Sequence, residues 1–377
     1  MKKVLMVFGT RPEAIKMCPL VKEFEQRPGI QPVVCVTAQH RQMLDQALKS
    51  FDVTPDYDLN IMKQGQTLFD ITQSTLSGVR EVLDAAAPEV ILVHGDTTSA
   101  FAGALAGFYA GIPVGHVEAG LRTYDRLSPY PEEFNRQAID AMSAYLFAPT
   151  QRARANLIRE GKGEKNVFVT GNTVIDAMQS TVNAAYSHPE LAWAADSRLI
   201  FITAHRRESI GEDMRHMFKA IRRVLDENQT LKAVFPIHMN PEVRRLAAEV
   251  FSGCERIHII EPLDAIACHN FEVRCFLCLT DSGGIQEECP SFGKPVLVMR
   301  NVTERPEGVE TGALKLVGTN EEAIYQSFTR LVNDSAEYSR MAGAENPFGD
   351  GGACKRIADV IQFGHCDEFG KAQDYVG

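Results

Sequence analysis

The amino-acid sequence predicts an α/β protein made of two parallel-sheet domains with a cleft between them. Short apolar runs alternate with amphipathic stretches from the first residues onward, the rhythm of strands joined by helical crossovers. That rhythm restarts near Leu199, after a polar, Ala-rich stretch from Ser187 to Asp196. A chain of 377 residues also exceeds one ordinary core at roughly 150 residues per domain, so each half is read as a Rossmann-like domain.

Lys3 to Phe8 reads as the first strand and Pro12 to Phe24 as a helix, with Thr10 and Glu13 at capping-box spacing and Pro12 suited to a first turn. Further strands are expected at Pro32 to Thr37, Val90 to His94, Val114 to Val117 and Leu146 to Ala148. Leu68 to Leu83 and Thr150 to Glu160 read as helices between them. Val167 to Asp176 closes the first domain, and the boundary is expected near Thr170 (1–170, then 171–363). The second half offers strands at Leu199 to Thr203, Ala233 to Ile237, His258 to Ile260, Phe276 to Leu279 and Val296 to Val298. Gly352 to Phe363 reads as a last helix that packs on either half, and 364–377 as a polar tail.

The apolar share of 45% and charged share of 23% are those of a globular chain, and a formal charge of -10 argues against a nucleic-acid partner. A small anion is still within reach of Arg11, Lys16, Arg206, Arg207 and Arg305. Met1-Lys2-Lys3-Val4 runs straight into a strand, unlike a secretory signal, and Ala100 to Val117 is too broken by Gly111, Pro113 and His116 to span a membrane. A cytoplasmic protein without membrane partner is expected. Nine scattered cysteines suit reduced thiols. Cys275 and Cys278 have metal-site spacing, but the run Cys275 to Leu279 reads as a strand whose odd spacing sends them to opposite faces, so no metal is expected even with Cys268 and His269 nearby.

Open parallel sheets bind ligands beyond the carboxyl ends of their strands, and the charged turns of this chain fall there. Gly9-Thr10-Arg11-Pro12-Glu13-Ala14-Ile15-Lys16 lets the backbone approach a ligand at Gly9 and offers Arg11 and Lys16 to an anion. It lacks the second glycine of a Walker A loop. His94-Gly95-Asp96-Thr97-Thr98 and His116-Val117-Glu118-Ala119-Gly120-Leu121-Arg122 place carboxylates at two strand ends. Asp96 also reads as a helix N-cap, whereas Glu118 among apolar and glycine neighbours is costly unless paired or used. Glu132 and Glu133 open a helix after Pro131, where the helix dipole favours acids and where Glu132 supplies a third carboxylate for acid/base work. Carboxylates crowded in a cleft are expected to have raised pKa values.

In the second half, Thr203-Ala204-His205-Arg206-Arg207-Glu208-Ser209 puts a histidine beside two guanidinium groups, a place suited to a diphosphate. Thr280-Asp281-Ser282-Gly283-Gly284-Ile285-Gln286-Glu287-Glu288 is a strand, small residues and a helix start, an anion cradle whose Glu288 reaches ribose hydroxyls. Thr303-Glu304-Arg305-Pro306-Glu307 adds a cation at another strand end.

Taken in order with Thr37-Ala38-Gln39-His40-Arg41 and Pro131-Glu132-Glu133, these blocks resemble the non-hydrolysing UDP-N-acetylglucosamine 2-epimerase family over about residues 3–363. The resemblance implies the GT-B-like fold and reversible conversion of UDP-N-acetylglucosamine to UDP-N-acetylmannosamine. The route it implies is anti elimination of UDP to a 2-acetamidoglucal and re-addition, without cofactor, in a homodimer that feeds cell-surface polysaccharide synthesis. By resemblance Asp96, Glu118 and Glu132 serve the sugar as acid/base groups, and His205 and Arg11 steady the departing diphosphate. Ser282, Gly283, Gly284 and Arg305 hold the phosphates, Glu288 the ribose, and Lys16 and His238 add substrate contacts. Gln39, Gln42, Glu132, Arg206 and His238 match the second, regulatory nucleotide-sugar site of some members.

Two positions depart from that pattern: Gly65, where such members have Arg, and Ala265-Ile266-Ala267-Cys268, where an aromatic residue usually meets the uracil. Three other readings share the same residues. A hydrolysing epimerase would let water take the intermediate, a GT-B glycosyltransferase would need an acceptor, and a nucleotide-sugar sensor would bind without turnover.

Overall fold

The computed structural model describes residues 1–38, 41–63 and 65–369, the side chain of Gln42 excepted. Contacts divide the chain into two compact units, Met1–Ser180 with Phe348–Gly377, and Thr181–Pro347.

The first unit carries β1 (Lys2–Phe8), β2 (Ile30–Val36), β3 (Tyr57–Asp58), β4 (Val90–His94), β5 (Val114–Val117), β6 (Tyr145–Ala148) and β7 (Val167–Val169). Its helices are α1 (Arg11–Glu25), α2 (Arg41–Ser50), α3 (Leu68–Ala86), α4 (Thr98–Tyr109), α5 (Glu132–Met142), α6 (Gln151–Arg159) and α7 (Thr173–Thr181). All neighbours in the sheet are parallel, in the order β3-β2-β1-β4-β5-β6-β7, which reverses direction between β1 and β4. Helices cover both faces, so strand residues of either parity are buried. Val4, Met6 and Phe8 pack with Met17, Leu20 and Phe24 of α1, while Leu5 and Val7 pack with Val79 and Val82 of α3 and Ala100 and Ala104 of α4.

The second unit repeats the plan with β8 (Arg198–Thr203), β9 (Leu231–Pro236), β10 (Ile257–Ile260), β11 (Leu277–Thr280), β12 (Val296–Val298) and β13 (Leu314–Leu316). Between and after them run α8 (Pro189–Trp193), α9 (Glu212–Glu227), α10 (Pro241–Phe251), α11 (Ala265–Arg274), α12 (Gly283–Glu288), α13 (Pro306–Glu310), α14 (Glu321–Asn333) and α15 (Ser335–Ala342). The order is β10-β9-β8-β11-β12-β13, all parallel, again reversing beside the first strand of the unit. Ile200 and Ile202 of β8, Phe218 and Ile221 of α9, and Phe328 of α14 share one core.

Every strand expected from the sequence is present, and the expected boundary moves. Residues 171–180 belong to the first unit because the Asn172 N–H donates to Phe348 O at 2.7 Å. The Asp176 carboxylate also accepts from the Ala353 and Cys354 N–H groups, capping the last helix, α16 (Ala353–Phe363). Burial raises the Asp176 carboxyl pKa. Ile357 and Ile361 of α16 join the α1 core, and Lys2 Nζ donates to Ile361 O at 2.7 Å, so this helix packs on the first unit. Cys275 is not part of a strand as expected: it caps the end of α11, Cys278 lies on β11, and both are buried thiols. Among the described residues no helix is long and apolar enough to cross a membrane.

Candidate active site

Each sheet reverses its strand order once, and crossovers leave that point toward opposite faces, opening a crevice beyond the carboxyl ends of the strands. In the first unit the point lies between β1 and β4. A Cβ on Gly9, just past β1, would come 1.8 Å from Thr37 Oγ1, so only glycine lets the chain turn there. The capping box forms: Glu13 Oε2 accepts from the Gly9 and Thr10 N–H groups at 3.0 and 2.7 Å. Glu13 Oε1 accepts from Thr97 Oγ1 at 2.7 Å, so one buried carboxyl ties the turn after β1 to the turn after β4. Burial, only partly offset by these bonds, raises its pKa. Arg11 is half-buried at the head of α1, with an Nε that makes no hydrogen bond among the described residues.

Thr97, not Asp96, is the N-cap of α4, its Oγ1 accepting from the Ala100 N–H at 3.0 Å. The carboxylate of Asp96 is therefore free of capping and pairs with Arg136 of α5 at 2.5 Å. Glu132 is the first residue of α5, one turn before Arg136, and stays half-buried. Its neighbour Glu133 is buried and structural, accepting from the Thr123 and Tyr124 N–H groups at 3.0 Å each. The acidic pair thus divides into one residue that shapes the loop and one that stays half-buried at the helix start.

Glu118 follows β5 with φ of 70°, the left-handed region that non-glycine residues seldom occupy. Its buried carboxylate accepts from Lys16 Nζ and from Asn172 Nδ2 at 2.9 Å, and His94 Nε2 lies 3.4 Å away. Burial alone would raise the pKa, but Lys16 and then His94 outweigh it and hold the carboxyl well below its usual range. Glu118 is an anion here, the reverse of the raised value expected for crowded carboxylates. Glu13, whose carboxyl burial does raise, is used for capping. Lys16, expected at an anion, faces Glu118 instead.

In the second unit the reversal lies between β8 and β11. Asp281, buried just past β11, accepts from the His205 and Arg206 N–H groups on Oδ2 at 2.7 and 2.8 Å, so it shapes the turn after β8. His205 Nδ1 sits 3.4 Å from Asp281 Oδ1, its ring stacks 5.6 Å from that of His238, and burial lowers its pKa. Arg305 pairs with Glu287 at 2.7 Å and with Glu304 at 2.9 Å. Glu304, although burial opposes ionisation, is pulled down to about 2 by Arg305 and Arg300. A Cβ on Gly283 would come 2.8 Å from Arg305 Nη1, so the glycine lets this guanidinium lie against the start of α12. Ser282 holds the N-cap position without a side-chain capping bond, and its N–H donates to Thr280 Oγ1 at 2.9 Å.

Glu288 ends α12 beside His269, at 3.9 Å, and beside the buried Glu272, whose pKa is raised well above normal by burial and by the Glu288 charge. Cys268, at the position expected to carry an aromatic residue, donates its thiol to Glu272 Oε1 at 3.3 Å. Of the regulatory set, Gln39 and the Gln42 side chain lie outside the described residues. Arg206 is paired with Glu304 at 3.3 Å, and His238 Nδ1 accepts from the Asn240 N–H at 3.1 Å. Gly65 has φ of 72°, so the Arg of other sequences would be strained on this backbone. Among the described residues no group of three or more His, Cys, Asp or Glu is arranged to hold a metal.

His94, Asn172 and Asp281 carry no role in the reading from the sequence, and Glu13 carries only its capping role, not its link to Thr97. His94 and Asp281 open or sit inside the blocks that were singled out, so their position at strand ends was the available signal. Asn172 reaches Glu118 from a distant segment, and nothing local announces it.

A family model described as UDP-N-acetylglucosamine 2-epimerase matches residues 22–362. The chain is 55% identical over 361 residues to the UDP-N-acetylglucosamine 2-epimerase of Bacillus subtilis (strain 168), covering 96% of this chain and 95% of that one. The S. aureus MnaA–UDP co-structure superposes with a TM-score of 0.92 at 48% identity, covering 98% of this chain and 100% of that one. The UDP-GlcNAc 2-epimerase from Neisseria meningitidis bound to UDP-GlcNAc gives 0.87 at 45% identity, covering 96% of this chain and 99% of that one.

Proposed function

This chain belongs to the UDP-N-acetylglucosamine 2-epimerase family, and from that premise we propose that it interconverts UDP-N-acetylglucosamine and UDP-N-acetylmannosamine. The reaction must remove a weakly acidic proton from C2 and loosen the C1–O bond to UDP. Cations and N–H dipoles aimed at the diphosphate favour that departure. Arg305, the first turn of α12, His205 and Arg11 are the groups that the family resemblance assigns to this task. Glu288 takes the ribose. Glu118, Asp96 and Glu132 handle the protons at C2 as UDP leaves anti to the C2 hydrogen, giving a 2-acetamidoglucal. UDP then returns to a glycal protonated from the other face.

One observation carries the reading: at a strand end, with a left-handed backbone, the largely buried Glu118 carboxylate is paired with Lys16 and lies 3.4 Å from His94, which together hold its pKa below the usual range. An ionised carboxylate can accept a proton, its basicity lowered for as long as Lys16 pairs with it, and general bases contribute about 10²–10⁴-fold. Proton NMR of UDP-N-acetylglucosamine in deuterated buffer tests this. A new anomeric signal with deuterium entering C2 is expected, and Glu118→Gln should abolish both while UDP still binds. Release of free N-acetylmannosamine would favour the hydrolysing reading, and the absence of both signals in the wild type would sink the epimerase proposal. The product is an activated amino sugar of the kind surface-polysaccharide synthesis consumes. We place the enzyme in the cytoplasm as a homodimer, which sedimentation at micromolar concentration checks.

A further inference from the structure

We propose that Asp140 and His116 form a buried relay that positions the turns carrying Asp96 and Glu118 against the helix that begins at Glu132. The inference rests on the reading above that these three carboxylates work on the sugar. Neither relay residue touches substrate in this scheme; both are positioning residues.

The relay joins three elements through one carboxylate. His116, on β5, is fully buried, with Nδ1 2.6 Å from Asp140 Oδ1 and Nε2 2.7 Å from the Gly95 carbonyl oxygen. The carbonyl can only accept a hydrogen bond, and so can the Asp140 carboxylate, which His116 and Arg122 hold ionised against its burial. Both ring nitrogens therefore face oxygen acceptors, one on each side of the ring. Asp140 Oδ2 accepts from Arg122 Nη2 at 2.6 Å and from the Gly120 N–H at 3.2 Å. Arg122 continues to Glu160 at 2.8 and 2.7 Å, which extends the chain of contacts beyond Asp140.

Each contact falls on backbone that carries a proposed working group. Gly95 immediately precedes Asp96 and has φ of 62°. Gly120, with φ of 85°, lies two residues after Glu118, itself at 70°. A left-handed non-glycine residue costs on the order of 1–2 kcal/mol and persists only where its surroundings over-determine it. Asp140 grips the far side of that turn. Asp140 also lies on α5, roughly two turns beyond Glu132, so the carboxylate that orders both turns moves rigidly with the third acid. An ion pair buried this deeply is often no better for stability than apolar side chains of the same volume, which leaves directional positioning as what it adds.

Asp140→Asn, His116→Gln and His116→Asn in the full chain test the relay. Gln at 116 can still present an N–H to the Gly95 carbonyl, whereas Asn can reach only Asp140. If positioning through Gly95 is the role, Asp140→Asn and His116→Asn lower kcat about 100-fold with KM and UDP affinity within about twofold, and His116→Gln recovers most of it. Amide hydrogen exchange should quicken in Asp140→Asn at residues 94–98 and 118–122 together, with β1 unchanged. Asn at 116 outperforming Gln, or exchange unchanged in both turns of Asp140→Asn, would overturn the relay. A wild-type protein that neither epimerises nor exchanges C2 would instead defeat the function proposed above, and the exchange arm would still decide whether Asp140 holds the two turns.

Discussion

Lys16→Met isolates the electrostatics on which the Glu118 assignment depends. The side chains of Lys16 and Glu118 are 12% and 11% exposed, so the substitution leaves a carboxylate buried with only Asn172 and the more distant His94. Removing one partner of a buried pair costs about 3–5 kcal/mol. The pH dependence has a definite sign. In the wild type the folded pKa of Glu118 is depressed, so its stabilisation is present above the unfolded value, near 4.5, and is lost as pH falls through the lower folded value. Without Lys16 less opposes burial and the folded pKa rises, so the gap to wild type widens by about 1.4 kcal/mol per pH unit as pH rises between the two folded values. The stability gap to wild type is therefore wider at pH 7 than at pH 5. Urea unfolding followed by far-UV circular dichroism and amide exchange of the first unit measures it, since Trp193, the only tryptophan, lies in the second unit. A gap below about 1 kcal/mol, or one equal at both pH values, would refute the view that Lys16 keeps Glu118 ionised.

Three further outcomes are expected. Gly283→Ala puts a Cβ 2.8 Å from an Arg305 guanidinium already held by Glu287 and Glu304, and such overpacking at about 1–3 kcal/mol should weaken UDP binding by titration calorimetry some 5- to 150-fold. Gly9→Ala, whose Cβ would overlap Thr37 Oγ1, should destabilise the first unit by about 2 kcal/mol or more, with the second unit's tryptophan transition unmoved. Cys268→Phe restores an aromatic surface and should tighten UDP by about 1–3 kcal/mol if the side chain meets the base, while breaking the thiol bond to Glu272; unchanged affinity would place the uracil elsewhere.

Much of the fold was readable because parallel strands covered on both faces need short apolar runs and their crossovers need amphipathic helices, and both patterns are local. Val90–His94, Val114–Val117 and Val296–Val298 have the expected limits, and the box at Thr10 and Glu13 forms as its spacing suggested. The acid-bearing turns were also legible, since charge immediately after an apolar strand is a local signal. The packing of α16 on the first unit is one of the two placements the sequence allowed, and what escaped was long-range: Asn172 reaching Glu118, and Asp140 gathering His116, Arg122 and Gly120.

By itself the sequence determined where strands end and which ionisable residues stand there, because periodicity and turn chemistry act over a few residues. Which of those residues are committed to structure and which remain for ligand was decided only by tertiary packing. Glu13 turns its oxygens to two backbone N–H groups and the Thr97 hydroxyl and Glu133 accepts from two backbone N–H groups, while Glu118 meets Lys16. Protonation and availability depend on neighbours brought from distant segments, and on the water those neighbours exclude, neither of which is written in local order along the chain.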